Sequence, residues 1–97
     1  MTDRELLEAA AKAAGLTLDR SFEGRAFDVL GNAVLDWFNG TTWNPIADDG
    51  DALRLAVKLE LDLTKLQAGI SWDDEDRYAA TRRAIVRAAA AIGKDMT

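Results

Sequence analysis

The hydrophobic period of this chain changes along its length, and each change implies a different element. Leu7, Ala10, Ala11 and Ala14 recur at helical spacing, with Leu6 widening the face. Thr2 followed three residues later by Glu5 forms a capping box, and Asp3 suits the positive helix start. Gly15 is placed to end that helix. From Leu16 to Ile46 the helical period is gone. Leu16 and Leu18 alternate with polar residues, and further extended stretches run through Phe27, Val29 and Leu30 and through Val34, Leu35, Trp37 and Phe38. Gly24, Gly31-Asn32 and Asn39-Gly40 punctuate them at points that suit tight turns. The spacing predicts an antiparallel meander of three strands, closed by Trp43-Asn44-Pro45, because a residue before proline avoids the α region.

A second helix is expected from Asp48 or Asp49 to about Leu59–Leu61. Ala52, Leu55, Ala56 and Leu59 make one stripe, and Leu53 and Val57 broaden it towards burial on two sides. Leu61, Leu63 and Leu66, then Ile70 and Trp72, read as a further strand, broken or followed by a loop. The last helix is expected over 74–92, with Tyr78, Ile85, Ala88, Ala89 and Ile92 facing inward, Arg83, Arg87 and Lys94 outward, and Gly93 ending it. No internal repeat stands out. The expected fold is a single α+β domain over residues 1–97, in the order α-β-β-β-α-β-α, with helices packed on a small antiparallel sheet.

Composition removes several chemistries. The 97 residues contain no cysteine and no histidine, so thiol nucleophiles, disulfides and the usual zinc ligands are absent. No phosphate-binding glycine loop, nucleophile elbow or metalloprotease motif occurs, and nothing selects one carboxylate pair for catalysis. The chain is therefore expected not to be an enzyme and to need no cofactor. The net charge of −5 disfavours direct binding to nucleic acid or to an anionic membrane. The N-terminus lacks a signal-peptide layout, which leads to an expectation of a cytoplasmic protein.

Two acid clusters are the first candidate site: Asp48, Asp49 and Asp51, and Asp73, Asp74, Glu75 and Asp76. Each is well explained as a helix N-terminus, where carboxylates cap free N–H groups. An up-down-up path would also bring both starts to one end and gather seven carboxylates on a rim that imitates a nucleic-acid backbone. The same oxygens could ligate calcium or magnesium, but the spacing does not match the EF-hand pattern, and no metal is expected. The aromatic residues Trp37, Trp43, Trp72, Phe22, Phe27 and Tyr78 are assigned to the core. Phe38 is the exception: beside Trp37 on a strand it would face the opposite side and serve as an exposed anchor for a partner. Arg82, Arg83 and Arg87 form a small basic patch, read as a solvated helix face.

Three stretches carry a family likeness: the Thr2–Leu7 helix start, Trp43-Asn44-Pro45 running through three acids into Ala52–Leu59, and the closing Ala80–Ala89. In order and layout they resemble small phage- and prophage-encoded proteins of the phage ABA sandwich domain family. The resemblance covers roughly half the chain and implies helices on both faces of a sheet, with no established activity and no catalytic residues to carry over. It implies an accessory protein that binds a host protein. One form would be an inhibitor of host defence, anti-CRISPR-like, presenting an acidic DNA-mimicking surface to a nucleic-acid-binding complex such as a CRISPR surveillance complex. The alternatives are a self-assembling structural or regulatory phage module, which would be a homo-oligomer, and a metal-dependent enzyme.

Overall fold

The computed structural model describes residues 2–68 and 76–96. It is an α+β fold of four helices and one two-stranded antiparallel sheet: α1 (Asp3–Ala13), β1 (Ala33–Asp36), β2 (Thr41–Trp43), α2 (Asp49–Lys58), α3 (Leu63–Ala68) and α4 (Arg77–Lys94). The order therefore differs from the expected one, with one strand fewer before α2 and a helix in place of the strand after it.

The start of α1 forms as the sequence predicts. Thr2 Oγ1 accepts from the Glu5 amide at 3.2 Å, and its hydroxyl donates to the Glu5 carboxylate at 3.1 Å. At the other end the Leu16 amide reaches back to the Ala11 carbonyl at 2.8 Å around Gly15, closing a Schellman motif. The end of α2 has the same motif, with Leu61 N–H on Ala56 O at 2.9 Å, but its left-handed residue is Glu60 at φ 54. A side chain with a Cβ costs about 1–2 kcal/mol in that conformation.

Leu61, Leu63 and Leu66 do not form a strand. The Asp62 carboxylate accepts from the amides of Thr64 at 3.0 Å and Lys65 at 3.3 Å, which caps α3. Leu63 and Leu66 then fall one turn apart and pack against the core from one side. A leucine pair at i, i+3 satisfies a helix as well as an alternating pattern suits a strand, and the cap decides between them.

Helix on helix is the main packing. Asp3 of α1 pairs with Arg83 of α4, and Ala9 faces Gly93, so the two helices run in the same direction side by side. Both helices bury small residues, Ala10, Ala11 and Ala14 on α1 with its cap and Ala89 and Ala90 on α4. Gly93 does not end α4; it lies inside it, buried, with no room for a Cβ, which would overlap the Ala9 carbonyl. Leu6, Leu7, Leu55, Ile85 and Val86 add larger aliphatic side chains from the helices, and Phe27, Val34 and Trp43 add theirs from the sheet region. Tyr78 and Ile92, expected to face inward, are exposed, and Val86, Ala90 and Gly93 take the inner face instead. Leu53 (54% exposed) and Val57 (68% exposed) likewise leave α2 buried on one side rather than two.

The sheet is short. Ala33 pairs with Trp43 and Val34 with Thr42, and a bulge follows before Asp36 pairs with Thr41. Phe27 meets Ala33 and Phe22 meets Arg25 through isolated bridges. Leu16 and Leu18 are partly buried against the core without joining a strand, and the Asp19 amide donates to Val34 O at 2.8 Å. Against β1 it is α1 that packs, whereas α2 and α3 lie against α4.

Candidate functional site

Three aspartates shape the segment between α1 and β2. The Asp19 carboxylate accepts from the Ser21 amide at 2.9 Å and, across the segment, from the Trp37 amide at 3.0 Å. Asp28 accepts from the amides of Leu30 (3.0 Å) and Asn32 (2.9 Å) and from the Asn32 side chain (3.2 Å). Asp36 accepts from the amides of Phe38 (3.0 Å) and Asn39 (3.2 Å) and from the Asn39 side chain (2.6 Å). Short polar side chains that bond their own downstream backbone compete with strand ladders and define turns. This is why Val29, Leu30, Trp37 and Phe38, expected on strands, stand in turns instead.

The turns at Asp28 and Asp36 have one design. Phe27-Asp28-Val29-Leu30-Gly31-Asn32 and Leu35-Asp36-Trp37-Phe38-Asn39-Gly40 lie eight positions apart and share the pattern apolar, Asp, two apolar, then Gly and Asn in either order. In both, the glycine takes positive φ, 86° at Gly31 and 69° at Gly40. The repeat is visible in the sequence once Asp is treated as the turn-former, a signal that reading for apolar periods misses.

Both turns push apolar side chains outward. Phe38 is 95% exposed, Val29 95% and Leu30 81%. The exposure expected for Phe38 is present, though its cause is a turn tip, not the far face of a strand. Trp37 folds back instead: its indole N–H donates to Asp19 O at 2.8 Å and to Arg25 O at 3.0 Å, and its ring tilts against Phe22 at 5.3 Å. Of the rings assigned to the core, Trp43 and Phe27 are buried, Trp37 is half-buried, and Phe22 and Tyr78 are exposed. Trp72 lies outside the described residues. The core volume is supplied mainly by small and aliphatic side chains.

Hydrogen bonding dominates the titration of two of these aspartates. Hydrogen bonds from Ser21 and Trp37 lower the Asp19 pKa. At Asp28 burial pushes the value up, and the bonds from Asn32, Leu30 and Gly31 together outweigh it, so it too lies below the ordinary carboxylate value.

The described acids of the two clusters have local partners. Asp48 caps α2, accepting from the Asp51 amide at 2.8 Å. Asp51 accepts from the Asn44 amide at 3.0 Å and pairs with Arg54 at 2.9 Å. Asp49 pairs with Arg82 at 2.6 Å, and Arg82 Nε also donates to Ile46 O at 2.8 Å. Asp76 caps α4 through the Ala79 amide at 2.9 Å. Arg82 lies five residues into α4, about 8 Å along its axis, so the start of α2 rests beside the first half of α4. Asp73, Asp74 and Glu75 lie outside the described residues. The basic patch is also engaged in part, Arg82 by α2 and Arg83 by Asp3 at 3.0 Å.

Among the described residues, no group of three or more acidic side chains converges to hold a metal ion, and no helix is long and apolar enough to cross a membrane. Comparison with protein-family models, with curated proteins and with solved structures returns no match.

Proposed function

We propose that this chain is a protein-binding module that presents apolar side chains on two preformed turns. The observation that carries this reading is Phe38, fully outward on a turn in which Asp36 accepts three hydrogen bonds, two from backbone amides and one from the Asn39 side chain. A turn whose backbone is fixed before contact loses little conformational freedom on binding, and aromatic side chains are favoured interface anchors. Val29 and Leu30, displayed by the matching turn, supply further apolar area. The net charge of −5 favours a basic partner surface.

The setting suggested by the resemblance and the charge is a phage or prophage accessory protein directed at a host nucleic-acid-handling complex, in the manner of an anti-CRISPR protein. In that setting the acids at the α2 and α4 starts add electrostatic steering to an apolar anchor. Asp48, Asp51 and Asp76 also cap helices or fix backbone, so neutralising them affects folding as well as charge.

The test is quantitative capture from bacterial lysate containing a CRISPR surveillance complex. The baits are the native chain, Phe38→Ser, and Asp49→Asn. Under the turn-tip reading, Phe38→Ser loses the partner and Asp49→Asn keeps it with a weaker response to salt. Loss with Asp49→Asn and retention with Phe38→Ser moves the contact to the acidic rim. A concentration-dependent oligomer of the native chain, dispersed by Phe38→Ser, makes the partner a second copy.

A further inference from the structure

A recess of about 660 Å³ opens between the first turns of α1 and the Arg20–Val29 segment, with Trp37 on its wall. Its size suits a small organic ligand. Three rings wall it: Phe22, Phe27 and Trp37. The Trp37 indole is fixed by two backbone carbonyls, which makes that wall rigid. Arg25 lies over the Phe22 ring at 4.7 Å and Arg4 over the Phe27 ring at 5.3 Å.

The charges in this recess are unevenly committed. Glu8 pairs with Arg20 at 3.0 Å, Arg25 with Glu23 at 3.1 Å, and Glu5 accepts from the Thr2 hydroxyl. Asp28 is engaged in its own turn. Among the described residues Arg4 donates to no carboxylate or carbonyl, and its guanidinium lies over the Phe27 ring. A guanidinium stacked on a ring keeps its edge donors free for a planar oxyanion, which it holds in a two-pronged geometry. At the lip, Glu23 adopts φ 54 beside Gly24 at φ 73. A left-handed non-glycine residue costs energy, and such strain concentrates at ligand clamps.

We propose that this recess binds a small aromatic carboxylate, its ring against Phe22 and Trp37 and its carboxylate on Arg4. A polyanion is disfavoured by the acidic surface, whereas a single negative charge on an apolar body matches one uncommitted cation among three rings.

The experiment is a titration of the full chain with 2-naphthoate, followed by ¹H–¹⁵N chemical shifts and tryptophan fluorescence, with 2-naphthamide as the neutral control. Saturable binding is expected, with shifts centred on Arg4, Phe22 and Arg25. The amide is expected to bind about tenfold more weakly, the loss of roughly one charge-assisted hydrogen bond. Arg4→Gln, at an exposed position, is expected to bring the acid down to the level of the amide while leaving the folded spectrum intact. Phe22→Ala is expected to weaken both ligands together. No saturation at millimolar 2-naphthoate, equal binding of acid and amide, or shifts centred elsewhere would overturn the proposal.

Discussion

The α1–α4 interface and the segment from Asp19 to Gly40 solve opposite problems. The interface hides backbone and small side chains so closely that Gly93 has no space for one more carbon. The turn segment fixes its backbone with carboxylates and leaves large apolar side chains in water. Burial of apolar area stabilises the first region. The second is stabilised by local hydrogen bonds, so its outward residues are free to vary without unfolding the chain. A region whose shape does not depend on its exposed side chains is where those side chains are available for contact.

Substitutions separate the two regions, and the greatest effect is expected at Gly93. Gly93→Ala forces α1 and α4 apart and is expected to cost about 1–3 kcal/mol, as overpacking does. Thermal unfolding would then shift down by roughly 4–24 °C, at about 4–8 °C per kcal/mol for a chain of this size. An unchanged midpoint would mean that the helices are not in contact at Ala9.

Asp28→Ala is expected to cost about 1–2 kcal/mol, comparable to the loss of a helix cap, by removing the acceptor for Leu30 and Asn32. Urea unfolding measures the loss, and an effect near zero would mean that the turn does not depend on its carboxylate.

Acid separates charge from geometry at the same sites. Asp19 and Asp28 have lowered pKa values in the folded chain, so the unfolded chain takes up these protons first as pH falls. Their contribution is fully present above the ordinary carboxylate value of about 4 and is lost as pH falls through the folded values. Asp28→Asn, which keeps an acceptor oxygen, is expected to flatten this acid limb of the urea midpoint. An acid limb as steep as that of the native chain would contradict the assignment.

A smaller effect of opposite sign is expected at the end of α2. Glu60→Gly relieves the left-handed conformation and is expected to stabilise by up to about 1 kcal/mol, after the extra flexibility of the unfolded chain is offset. A loss of stability would mean that Glu60 has a role beyond the helix end.

The sequence makes some of these features legible and conceals others for physical reasons. The Thr2 cap with Glu5 three residues on, an α2 cap at Asp48 or Asp49, and the end of α1 at Gly15 depend on residues within one turn of each other, so spacing alone points to them; the run of four acids before α4 does not by itself single out Asp76 as the cap. The inner face of α4 is less visible, because alanines occupy several faces and the close approach of α1 selects Ala89, Ala90 and Gly93. Leu61 and Leu63 fit a strand period while Leu63 and Leu66 fit a helical one, and Asp62 settles them. Val29, Leu30 and Phe38 look like strand residues because apolar side chains usually mark burial. The aspartate before each apolar pair marks the turn instead. Phe38 itself is legible as an exposed candidate. The recess beside Arg4 is not, because it joins α1 to residues some twenty positions later that no local pattern connects.

Phe38→Ser tests the central claim most directly, with thermal unfolding and quantitative partner capture measured on the same preparation. The predicted result is a stability within about 0.5 kcal/mol of the native chain, as for an exposed surface change, together with loss of the captured partner. Retention of the partner at native level, or a folded state destabilised by much more than that, would contradict the account.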